Sequence, residues 1–133
     1  MSVSKSELMS LTLADAAQQI QERRLSPVEL TRAFLDRIAD IDPKVHAFIT
    51  VCGDEALVAA RNAEAEISKG KYKGPLHGIP YSVKDIIASR GIRTTSGSRL
   101  LENSVPEYDS TVIATLAAAG AVLLGKNNLA EFA

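Results

Sequence analysis

The sequence predicts an α/β fold in which N-terminal helices precede the start of a mixed sheet with flanking helices. Three observations carry that expectation. Apolar residues recur at helical spacing up to about residue 41. From Leu76 onward, short β-branched runs alternate with a helix-length pattern. An apolar content of 46% in 133 residues also supplies enough side chains for one core. The whole chain reads as part of one domain, mainly helical over 1–73 and α/β over 74–133.

Thr12 followed by Asp15 reads as a capping box, and Leu13, Ala16, Ala17 and Ile20 continue it as a short amphipathic helix to about Arg24. Ser26-Pro27-Val28-Glu29 is a fuller start, with a serine to accept from free amides and a proline suited to the first helical position. Its stripe is Leu30, Phe34, Leu35, Ile38 and Ile41, and Asp42-Pro43 is expected to stop it, because a residue before proline avoids the helical region. Val45 to Val51 reads as a strand. Asp54 is expected to cap a third helix, which runs to about Lys69 and ends at Gly70. Lys71 to Pro75 reads as a turn and Ile79 to Ile87 as a strand. Asp109 is expected to cap a helix from Ser110 to Ala119. Gly120 closes that helix, Ala121 to Leu124 form a strand, and Gly125 ends it. Asn127 or Asn128 then opens a helix with only Leu129 to Ala133 in it, so the sequence reads as stopping in mid-fold.

Composition narrows the function. A formal charge of -1 gives no basic footprint for nucleic acid or an anionic membrane. The single cysteine, Cys52, allows no disulfide within the chain and no CxxC zinc site, which predicts a reducing cytoplasm and no metal. No apolar signal segment or membrane-length run is present. With 5% aromatics and no Trp, there is no stacking platform for bases or sugars.

Lys84 is the most informative residue. It stands in the run Ile79 to Ile87, which is otherwise fit for a buried strand, and a buried lysine needs a partner or a lowered pKa. Asp85 does not suit as that partner, since neighbouring strand residues point to opposite faces. A neutral lysine is a general base; a lysine at a strand's end instead extends its stem to water. Thr94-Thr95-Ser96-Gly97-Ser98 is a hydroxyl-rich loop close behind, so it reads either as half of a Ser–Lys dyad or as an ordinary polar turn. His46 reads as a half-buried strand residue and His77 as a turn residue before Gly78. Gly120 to Lys126 matches GxxxxGK, yet the residues between the glycines are an apolar β-type run, the glycines follow a helix, and Asn127 replaces the hydroxyl that would hold magnesium. A phosphate loop is therefore not expected, and neither is a cofactor.

Gly74-Pro75-Leu76-His77-Gly78-Ile79-Pro80-Tyr81-Ser82-Val83-Lys84-Asp85, Gly91 to Ser98, Pro106 to Val112 and Ala118 to Phe132, in that order, resemble the amidase signature family. Leu25 to Leu30 and Val45 to Phe48 resemble it as well, so the likeness covers most of the chain. The resemblance implies hydrolysis or transfer at an amide carbonyl by a serine, a second serine in a cis peptide, and a lysine, the last matched by Lys84. It further implies that the lysine takes a proton from the nucleophile through the bridging serine, while backbone amides of a glycine-rich segment hold the oxyanion. Both serines belong to a segment that follows the Glu131-Phe132-Ala133 region, so Ser96 and Ser98 are not assigned as nucleophile. The implied product is the N-terminal part of an amidase, inactive alone, with a small-molecule amide as substrate and a homodimer as one possible assembly. The same resemblance admits the A subunit of a glutamine-dependent aminoacyl-tRNA amidotransferase, with glutamine, ATP and partner subunits. A third reading is a non-catalytic interaction module whose sheet edges another chain covers. Ile86 and Asn127 stand where many relatives carry a polar residue and a threonine.

Overall fold

Local capping sets the first helices. The structure, a computed structural model, describes residues 5–133. A short helix, α1 (Lys5–Ser10), precedes α2 (Leu13–Gln21), whose Thr12 Oγ1 accepts from the Asp15 amide at 3.1 Å and donates to the Asp15 carboxylate at 2.6 Å. α3 (Pro27–Val45) starts as expected, Ser26 Oγ accepting from the amides of Val28 and Glu29. It does not stop at Asp42-Pro43. Pro43 lies in the last turn, where it removes a single backbone bond, and Asp42 supplies the ending instead. The Asp42 carbonyl accepts from the His46 amide at 2.8 Å, and its Oδ1 accepts from Ala47 at 2.7 Å and Phe48 at 3.2 Å. His46 is thus an exposed left-handed cap (φ 51°) rather than a half-buried strand residue.

The strand that follows, β1 (Phe48–Val51), is correspondingly shorter than the sequence predicts. α4 (Gly53–Ser68) begins at Cys52, with no side-chain cap; Asp54 lies inside its first turn, where an acid favours the helix dipole. The start is dictated by pairing, since the Cys52 amide donates to the Leu124 carbonyl at 2.8 Å. At the other end Gly70 takes φ +77° and the Lys71 amide returns to the Glu66 carbonyl.

β2 (Pro80–Lys84) ends before Ile87 because the chain turns there, the Ile87 amide donating to the Lys84 carbonyl at 3.0 Å. α5 (Thr111–Ala118) is capped by Ser110, not Asp109, whose Oδ1 accepts instead from the Arg90 amide at 2.6 Å. β3 (Val122–Asn127) runs through Gly125 rather than closing there. A Cβ at Gly125 would run into the Thr50 carbonyl, which explains a glycine inside the strand. No helix opens at Asn127 or Asn128; the Asn128 amide is committed to the Ala47 carbonyl, and the chain turns.

The sheet has the order β1-β3-β2, antiparallel between β1 and β3 and parallel between β2 and β3, so it is mixed, as the sequence predicts. Ala16, Ile20, Leu25, Leu30 and Ile79 pack α2 and α3 around the start of β2. Ala56, Ala60, Val122 and Leu124 pack α4 on β3.

His77 ties the turn before β2 to α4. It is 1% exposed; its Nδ1 accepts from the Lys73 amide at 3.1 Å, which places the ring proton on Nε2, 3.0 Å from Glu66 Oε2. Burial holds its pKa below the ordinary histidine value, the Lys73 cation acts the same way, and Glu66 opposes both. Because the fold prefers neutral His77, its contribution is complete above the unfolded value of 6.5 and is lost as pH falls through the depressed folded value. Denaturant unfolding between pH 7.5 and 5.5 is expected to show stability falling with acidification. His77→Asn, whose Oδ1 takes the place of Nδ1, is expected to flatten that slope. An unchanged slope would remove His77 as its source.

Candidate active site

The carboxyl ends of the parallel strands β2 and β3 bring the polar side chains together. Lys84 closes β2 opposite Asn127. Its side chain is exposed, and Nζ donates to the Asn128 carbonyl at 3.0 Å. Of the two readings open from the sequence, Lys84 therefore occupies the strand end rather than the interior.

Asp85 points the other way and is fully buried, as strand alternation requires. Its Oδ2 accepts from the Thr95 amide at 3.0 Å and from the Thr95 hydroxyl, and its carbonyl accepts from the Ser96 amide at 2.8 Å. The hydroxyl-rich loop is thus folded back beside the strand end. It is not a dyad: Ser98 Oγ donates to Glu131 Oε1 at 2.6 Å and caps a single 3₁₀ turn (Arg99–Leu101), while Ser96 adopts φ +53°. Among the described residues, no hydrogen bond joins either serine to Lys84.

The polar residue missed in the sequence is Lys126. It is 0% exposed, and its three N–H groups go to the Ile87 carbonyl, Ser89 Oγ (3.2 Å) and Thr94 Oγ1 (2.8 Å). Burial holds its pKa below the usual lysine value, and the Asp85 carboxylate opposes that shift. Lys126 belongs to no phosphate loop; Gly125 is strand and the ammonium faces inward. Simple alternation does not report it: the register shift between Tyr81 and Ser82 skips Leu124, and Lys126 pairs opposite Val83.

His46 contributes only its carbonyl here, accepting from Asn128 Nδ2 at 3.1 Å, and His77 lies elsewhere, against α4. Among the described residues, no three of His, Cys, Asp and Glu converge to hold a metal ion, and no helix is long and apolar enough to cross a membrane.

A mixed sheet carrying an exposed lysine at the carboxyl end of a parallel strand, beside a glycine- and hydroxyl-rich loop, defines an α/β protein with its polar side chains gathered at one end of the sheet. The amidase family profile matches residues 29–133, most of the chain, and the chain belongs to that family. It is 50% identical over 127 residues to the A subunit of glutamyl-tRNA(Gln) amidotransferase from Dehalococcoides mccartyi, covering 96% of this chain and 26% of that protein. It is 48% identical over 128 residues to the corresponding protein of Acidothermus cellulolyticus, covering 96% and 25%. Among solved structures, native peptide amidase from Stenotrophomonas maltophilia superposes with a TM-score of 0.88 at 38% identity, over 93% of this chain and 26% of that one. An amidase family protein from Bacillus anthracis superposes with a TM-score of 0.86 at 28% identity, over 96% and 26%. The chain thus spans about a quarter of the length of the relatives it matches.

Proposed function

We propose that this chain supplies the general-base lysine, Lys84, of an amidase-signature hydrolase that breaks a carboxamide C–N bond. The observation that carries the reading is the placement of Lys84: the last residue of β2, exposed, with one N–H held by the Asn128 carbonyl and the rest of the amine open to a reacting group. The family resemblance supplies the remainder. A nucleophilic serine attacks the amide carbon while its proton passes through the bridging serine to the lone pair of neutral Lys84. Collapse of the tetrahedral intermediate breaks the C–N bond, the proton returns to the departing nitrogen, and water then releases the acid from the acyl-enzyme. On this reading the two serines come from outside residues 1–133. The isolated chain holds Lys84 alone and does not turn over.

A second reading is favoured by one observation: identity to the amidotransferase relatives reaches 50%, against 38% for peptide amidase. Under it, the amide is that of glutamine, the ammonia is passed on, and partner subunits make the contacts to tRNA, since this chain's formal charge of -1 gives it no basic excess.

Ammonia release from glutamine and from a panel of simple carboxamides tests both. The protein carrying residues 1–133 together with the glycine/serine-rich segment is expected to release ammonia, and the 133-residue chain is not. Turnover confined to glutamine selects the amidotransferase reading. Activity in the 133-residue chain would move the nucleophile to Ser96 or Ser98 and overturn the assignment.

A further inference from the structure

Asn128 follows β3 directly, and each of its polar groups is engaged. Its amide donates to the Ala47 carbonyl at 2.8 Å, Nδ2 donates to the His46 carbonyl at 3.1 Å, and Oδ1 accepts from the Leu129 amide at 2.9 Å. Its own carbonyl accepts from Lys84 Nζ at 3.0 Å. Two of these bonds fasten the residue to the junction between α3 and β1, a third shapes its own turn, and the fourth receives the lysine.

The junction it grips is itself fixed. His46 is held left-handed by its bond to the Asp42 carbonyl, and Asp42 Oδ1 restrains the next two amides. The acceptor for Lys84 is therefore anchored to an element other than the strand that carries the lysine. This matters because a lysine head sits on a flexible four-carbon stem with rotatable donors. An exposed amine with no fixed acceptor samples many directions. Donating one N–H to an immobile carbonyl leaves the lone pair of the neutral amine a restricted set.

We propose that Asn128 is a positioning residue for Lys84: by gripping the His46 carbonyl through Nδ2, it fixes the carbonyl that orients the amine toward the proton it must accept. This rests on Lys84 acting as the base. The side chain of Asn128 touches no reacting atom, and the carbonyl that meets Lys84 survives every substitution, so a variant alters aim and not the acceptor itself.

The test uses the protein that carries residues 1–133 with the glycine/serine-rich segment, assayed by ammonia release well below each variant's melting midpoint. Asn128→Ala removes the grip. Asn128→Asp keeps the size and the Leu129 contact but sets an acceptor against the His46 carbonyl. Both are expected to lower kcat about 10–100-fold with KM within about twofold, the signature of a misplaced catalytic group. In the 133-residue chain, reductive methylation of Lys84 relative to the other lysines is expected to speed up in both variants as the Nζ bond is lost. Wild-type kcat together with unchanged methylation of Lys84 in Asn128→Asp would overturn the inference while leaving the base assignment intact. Retained turnover in Lys84→Met would instead overturn the base assignment beneath it.

Discussion

Lys84→Met is expected to lower amide turnover of the proposed hydrolase about 10²–10⁴-fold, the range typical of removing a positioned general base. Methionine keeps the length of the stem and has no basic lone pair, so the proton leaving the nucleophile has no acceptor. The fold is expected to survive. Lys84 is exposed and makes one hydrogen bond, to Asn128, so its loss from the native state costs about 1 kcal/mol or less. Lys84→Arg keeps an N–H donor for the Asn128 carbonyl but stays protonated near neutral pH, and it is expected to be as inactive as the methionine variant. Ammonia release and the urea midpoint, measured on the same preparations, separate chemistry from stability. Near-normal rates in either variant would sink the base assignment.

Lys126→Met is expected to do the reverse, costing about 2–4 kcal/mol of stability, on the order of losing several buried hydrogen bonds from a charged donor. The ammonium has no exposure and three acceptors, so methionine fills the same volume while leaving the Ile87 carbonyl without that donor. It also removes a cation that the fully buried Asp85 attracts through space. Three segments lose a common anchor at once: the end of β3, the bend at Ile87–Ser89, and Thr94. Urea unfolding measures the loss directly; a midpoint shift worth less than about 1 kcal/mol would show that the buried amine contributes little beyond its bulk.

What could be read from the sequence follows how local each cause is. Ser26 and Pro27 act within one turn, and the start of α3 falls where the sequence puts it. Its end does not, because Asp42 works through residues beyond the proline. The start of α4 was illegible for a different reason: it answers to the Leu124 carbonyl, on a strand far along the chain, while Asp54 merely resembles a cap. Asp109 misled similarly, since the Arg90 amide claims its carboxylate and leaves Ser110 to cap α5. At the site, strand alternation correctly separated Lys84 from Asp85. Lys126 escapes that rule, because the register shift at Leu124 breaks the alternation of β3 before the lysine is reached. No local pattern reports Asn128, whose partners His46, Ala47 and Lys84 are all distant in sequence.

The position of β3 between its neighbours has a consequence for how the chain is made. β1 and β2 never pair with each other, so both ladders depend on residues 122–127. As the polypeptide leaves the ribosome, helices α2 and α3 have their capping and i→i+4 partners to hand, whereas the start of α4 awaits the Leu124 carbonyl and two strands wait unpaired until the third arrives between them. The sheet closes late and at a stroke, by contacts of long sequence separation that are slow to form. Until then the nascent chain presents bare strand edges to its surroundings, and such edges are open to wrong pairing.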